Sequence, residues 1–177
     1  MRFSAVFLVV GFALLAGVTV SSAAPVVGRT VSCSDIIDYT KFPYFGNSRP
    51  EYRYRQVLGV VAVPPAFMQQ VVPTRQESWA KPWAYWHKQG LVIRAGGEAV
   101  TVTVPKIWRR RAAIMWGNSG GAVSSLRFEG CGGSANVGHA YAGGFLLRSP
   151  SACIPLIFSV GKRSATVRFG VGQKCHP

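Results

Sequence analysis

The sequence predicts an all-β protein: an antiparallel β-sandwich, Ig-like or jelly-roll-like, with at most short helical turns and with a small β-barrel as the less favoured closure. Three observations predict it. Apolar side chains alternate at Val100, Val102 and Val104, at Leu156, Phe158 and Val160, and at Val167, Phe169 and Val171. That is the period of two expected of strands with one buried face. Gly and Pro punctuate the chain at about the ten-residue spacing of sandwich folds. Nowhere does a long window carry the three-and-four spacing of an amphipathic helix.

Taken in order, the chain starts with Arg2, an apolar run from Ala5 to Val20, and then Ser21, Ser22, Ala23, Ala24 and Pro25. A charged start, an apolar middle and small residues at the end are the three parts of a secretory signal. The run is shorter than the ~18 to 20 residues that cross a bilayer as a helix. Residues 1–24 are therefore expected to be a signal peptide cleaved near Ala24. Residues 25–177 are expected to form one sandwich domain, extracellular or in the cell envelope, with no transmembrane segment.

Within that domain a short helical turn is expected near residues 35–39. Residues 52–63 read as one long strand closed by Pro64 and Pro65, with a second helical turn at 65–70. Residues 91–94 and 100–104 read as a hairpin across Ala95, Gly96, Gly97 and Glu98. Residues 111–116 and 122–128 read as strands joined by Gly117, Asn118, Ser119, Gly120 and Gly121. Residues 139–148 read as another strand. A last hairpin turns at residues 161–164.

Cys33, Cys131, Cys153 and Cys175 are even in number and all follow the signal. In an oxidising compartment they imply two disulfides with three possible pairings. Cys153 and Cys175 flank the last hairpin, which favours pairing them and leaves Cys33 with Cys131. No Cys-x-x-Cys is present, and His87, His139 and His176 lack ligand spacing, so neither a metal nor a cofactor is expected.

Charge is the strongest functional signal. The chain has 20 Lys and Arg against 6 Asp and Glu. Losing Arg2 with the signal leaves 19 against 6, a net charge of +13. Solubility does not need so large an excess. It concentrates polyanions such as acidic wall polymers, anionic glycans or lipid head groups, in a manner that salt weakens. No recognition helix, zinc finger or RNA-binding signature points to specific nucleic-acid recognition.

Three constellations could carry function. Residues 79–88 hold Trp79, Trp83, Tyr85 and Trp86 beside Lys81 and Lys88, rings that can stack on sugars or cations. Basic residues cluster at Arg109, Arg110 and Arg111 after Trp108, and again at Lys162, Arg163 and Arg168. The contact residues expected from these are Trp83 and Trp86 as stacking platforms, with Lys88, Arg109, Arg110 and Arg111 as cations. The third, Gly117 to Gly121, resembles the Gly-Asp-Ser-Gly-Gly loop of chymotrypsin-like serine proteases. The resemblance covers only these five residues and implies Ser119 as nucleophile with His87 or His139 as base. Asn118 replaces the family's Asp, Glu98 is the only acid between His87 and Ser119, and the chain is too short for two barrels. A strand connection accounts for the glycines and Asn more simply.

The expected function is thus a secreted, cationic, non-catalytic binding domain acting on anionic polymers or glycans. The alternatives are a structural component of the envelope and a serine hydrolase. Oligomeric state is open.

Overall fold

The computed structural model describes residues 28–43, 50–76, 81–118 and 120–175. The expected signal, Trp79, Ser119 and His176 lie outside the described residues. The first half of the chain supplies β1 (Arg29–Val31), β2 (Asp38–Lys41), β3 (Arg55–Val57), β4 (Val61–Val63), a helical turn α1 (Ala66–Gln69) and β5 (Thr74–Arg75). Then come β6 (Tyr85–Lys88), β7 (Leu91–Arg94), β8 (Val100–Thr103) and β9 (Ala112–Trp116). The remainder gives β10 (Ser125–Phe128), β11 (Val137–Tyr141), β12 (Gly143–Leu147), β13 (Ala152–Val160) and β14 (Arg163–Val171).

These strands build an all-β sandwich from three sheets, ordered β1-β10-β8-β13-β14, β2-β11-β7-β4-β3 and β5-β6-β12-β9. Every named pairing is antiparallel except β1 with β10, which is parallel. One large core joins the three sheets. The Phe145 ring of the third sheet meets the Phe169 ring of the first at 5.2 Å, and Phe128 of the first meets Tyr141 of the second at 4.9 Å. Each such fully buried side chain contributes roughly 1.5 to 3 kcal/mol through apolar burial. Trp116 is buried with its indole N–H donating to the Gln89 carbonyl at 2.7 Å, so the core takes in the ring without stranding a polar atom.

Two smaller clusters cover outer faces. Phe42, Tyr54, Ala62, Val92 and Ala140 pack on the second sheet, and Trp83, Ala113 and Leu146 on the third. The outer face of the β13–β14 hairpin is different. Its outward side chains include Pro155, Thr166 and Arg168, while the inward Leu156, Phe158, Val167 and Phe169 are buried.

The last hairpin forms as expected, pairing Ala152–Val160 with Arg163–Val171 through a tight turn at Gly161 and Lys162. Four other expected connections differ. Residues 91–94 and 100–104 do not form a hairpin: β7 pairs with β4 and β11, while β8 pairs with β10 and β13. Similarly, β9 and β10 share only the bridge between Ile114 and Val123 before entering different sheets. The run 139–148 is two strands, because it passes from the second sheet to the third at Ala142. Gly143 and Gly144 permit this, since a Cβ on either would run into Met115 and Trp116 or into His87 on the flanking strands.

The expected strand at 52–63 is a short hairpin, β3 with β4, turning at Leu58 and Gly59 with φ of 54° and 72°. Alternation locates a buried face but does not say which sheet receives it, so each of these runs was compatible with a hairpin. The N-terminal helical turn falls at Cys33–Asp35, slightly before its expected place, and α1 lies within the expected 65–70.

Both expected disulfides form, Cys33 with Cys131 and Cys153 with Cys175. Among the described residues no helix is long and apolar enough to cross a membrane.

Candidate functional site

The outer face of the β13–β14 hairpin is the floor of a groove of about 1010 Å³. This is at the large end of the roughly 300 to 1,000 Å³ typical of ligand clefts. Four parts of the chain build it. The β13–β14 ladder sets Arg168 opposite Pro155, with Thr166 one outward step away. The turn between β8 and β9 brings Ile107, Trp108 and Arg111 to one wall. The connection from β12 to β13 adds Arg148, Ser149 and Ser151. After β14, Gln173 and Lys174 complete the lining, held there by the bond from Cys175 to Cys153.

Two of the cations are fixed by aromatic rings. The Arg111 guanidinium lies over Trp108 at 5.6 Å, and that of Arg148 over Trp83 at the same distance. A guanidinium attracted to a ring in this way still has N–H donors for oxyanions. The Arg148 amide donates to the Arg111 carbonyl at 3.2 Å, one step past the Ala112–Leu147 pair, so the two arginines are neighbours across the β9–β12 ladder. Arg111, Arg148, Arg168 and Lys174 thus share one groove, and no Asp or Glu is among its lining residues. Hydroxyl and amide groups from Ser149, Ser151, Thr166 and Gln173 complement them. Such a surface can hold a chain bearing sulfate, phosphate or carboxylate groups.

Of the contact residues expected from sequence, Arg111 is in the groove. Arg109 is half-buried, its Nε donating to the Val104 carbonyl at 3.4 Å, and Arg110 is exposed beside it. Trp83 is buried beneath Arg148, so it supports the groove rather than offering a stacking face. Trp86 is half-buried with Met115 and Ala122 on the Trp83 cluster, and Lys88 is exposed at the end of β6; neither lines the groove. The aromatic segment and the arginine run therefore do not make a single site.

Trp108 and Arg168 were visible in the sequence, as the residue before the arginine run and as an outward position of the last hairpin. Lys174 could have been placed from the favoured Cys153–Cys175 pairing. Arg148 and Ser151 carry no such signal.

Of the residues of the hydrolase alternative, His87 and His139 are described and Ser119 is not. His87 is buried in β6, its ring 6.2 Å from Phe145, and His139 is buried in β11 with its ring edge-on to Tyr39 at 5.4 Å. Burial lowers both imidazole pKa values; for His87, hydrogen bonding to Gln89 and Val71 partly offsets this. Neither shift involves a carboxylate. The Asn118 backbone N–H donates to Asp35 at 2.9 Å, which docks the loop on the N-terminal turn. No group of three or more His, Cys, Asp or Glu among the described residues is placed to share a metal ion.

No protein-family model, curated protein or solved structure matches this chain.

Proposed function

We propose that the protein is a secreted, non-catalytic binding domain that holds anionic glycans or wall polymers at the cell envelope or in the extracellular matrix. The observation that carries this reading is the groove on the β13–β14 hairpin, which collects Arg111, Arg148, Arg168 and Lys174 and has no carboxylate in its lining. Exposed cations attract such polymers through a field that salt screens over about 8 to 10 Å. Export through the segment 1–24 and an oxidising destination agree with the two cystines.

The test is retention on immobilised dextran sulfate and polygalacturonate, with neutral dextran as reference, across a salt series. The reading expects retention on both charged supports, none on neutral dextran, and release as salt rises. Equal behaviour on all three supports at low salt would reject it. The burial of Trp83 is also what an assembly role would give, and that role expects no retention on any of the three.

A further inference from the structure

Between β8 and β9 the chain reads Pro105, Lys106, Ile107, Trp108, Arg109, Arg110, Arg111. Lys106–Trp108 form one 3-10 turn. Its geometry is fixed from below. Trp108 packs against the main core, the Trp108 amide donates to the Pro105 carbonyl at 2.8 Å, and the Arg111 amide donates to the Trp108 carbonyl at 2.8 Å. Ile107 is consequently held outward and is 82% exposed, more than any other large hydrophobic side chain described. Lys106, Arg110 and Arg111 around it are exposed as well. The sequence has no acid between Glu98 and Glu129.

An exposed isoleucine alone is unremarkable. One fixed at the apex of a cationic turn has the two elements that together give stable interfacial binding, an apolar insert and a basic patch. We propose that this turn docks the protein on an anionic phospholipid bilayer. Ile107 enters the interfacial layer while Lys106, Arg110 and Arg111 meet lipid phosphates. A polymer bearing only charge has no use for Ile107. A protein partner would need a wider apolar patch than one aliphatic side chain, whereas a lipid interface accepts a single inserted residue without matching its shape. The docking shares Ile107 and Arg111 with the groove wall but needs no bound glycan, and Lys106 and Arg110 lie outside that lining.

Co-sedimentation with vesicles tests it, using the chain from Pro25, which contains every residue of the three core clusters. The vesicles are phosphatidylcholine alone or a mixture with phosphatidylglycerol, and contain no glycan. Binding is expected to the mixed vesicles only. Ile107→Ser should weaken it about tenfold through lost apolar burial. Lys106→Ser and Arg110→Ser should each weaken it about fivefold at low salt. All three variants should keep the wild-type unfolding midpoint, since none of these side chains is buried. Equal partition onto both vesicle types would overturn the proposal, as would an Ile107→Ser variant that binds like wild type. Retention on dextran sulfate without vesicle binding would defeat docking and leave the groove reading standing; vesicle binding without retention would do the reverse.

Discussion

The regions around the two cystines use charge in opposite ways. Near Cys33–Cys131, acids are spent on the chain itself. Asp35 accepts the Ser32 amide and the Asn118 amide, each at 2.9 Å, and Glu129 accepts the Cys33 amide at 3.2 Å. Arg29 donates to the Trp116 carbonyl at 2.6 Å; burial lowers its pKa, and the Asp35 charge offsets only part of this. Near Cys153–Cys175, the groove presents Arg111, Arg168 and Lys174 with no carboxylate in the lining. Near Cys33–Cys131 the carboxylates are taken up by backbone amides of the fold itself. The groove cations face solvent instead, at a modest cost in self-repulsion, as the proposed binding of an external polyanion requires. The contrast separates a structural pole from the pole that carries the proposed binding groove.

The largest expected effect lies at the structural pole. The Cys33–Cys131 link spans 98 residues, and replacing both cysteines by serine should cost about 5 kcal/mol in the chain-entropy account. Urea unfolding measures this, and dextran sulfate affinity below the transition should be unchanged. The Cys153–Cys175 link spans 22 residues, so the same replacement there should cost about 3 kcal/mol. This second variant should also bind dextran sulfate more weakly, because Gln173 and Lys174 lose their tether. If the two variants changed affinity alike, the division into poles would fail.

Asp35→Asn comes next, at about 2 kcal/mol, because an amide is a poorer acceptor for two backbone N–H groups and removes the charge facing Arg29. A loss below about 0.5 kcal/mol, the range of ordinary surface changes, would remove Asp35 from the structural role. Burial alone would raise the Asp35 pKa, but the amides of Asn118 and Ser32 and the charge of Arg29 outweigh it, and the carboxyl titrates below its ordinary value. Its contribution is therefore complete above the ordinary carboxylate pKa of about 4 and is lost as pH falls through the lower folded value. The gap in stability between wild type and Asp35→Asn should close over that acid range.

A smaller effect is expected from the imidazoles. His87 and His139 resist protonation when folded, so the unfolded chain binds more protons as pH drops below about 6.5, and stability should begin to fall there. Flat stability between pH 7 and 5 would contradict their burial.

How much of this was legible in the sequence depends on how local the deciding interaction is. Period-two alternation identified the strands of the last hairpin and their inward faces, because Leu156, Phe158, Val167 and Phe169 are sorted by one buried side. The pairing of Cys153 with Cys175 followed from that hairpin. Sheet membership was not legible, since β7 and β8 read alike from sequence whether they pair with each other or with distant strands. The same reason hid the groove. Arg111, Arg148, Arg168 and Lys174 come from four separate connections and strands, and only the long-range pairings bring them together. Dense aromatics at Trp83 and Trp86 drew attention to a surface site, whereas the third sheet uses Trp83 as packing beneath Arg148.

The most direct test of the proposed binding groove compares two triple variants of equal charge on dextran sulfate. One is Arg111→Ser, Arg168→Ser and Lys174→Ser in the groove; the other is Lys41→Ser, Arg55→Ser and Lys88→Ser on exposed positions outside it. For a polyelectrolyte ligand, each lost contact should lower the slope of log affinity against log salt by about one. The groove triple is expected to lose most of the binding and most of the salt dependence, with the outside triple close to wild type. Equal losses in the two triples would show that net charge alone attracts the polymer, and the groove would have no special part in the function.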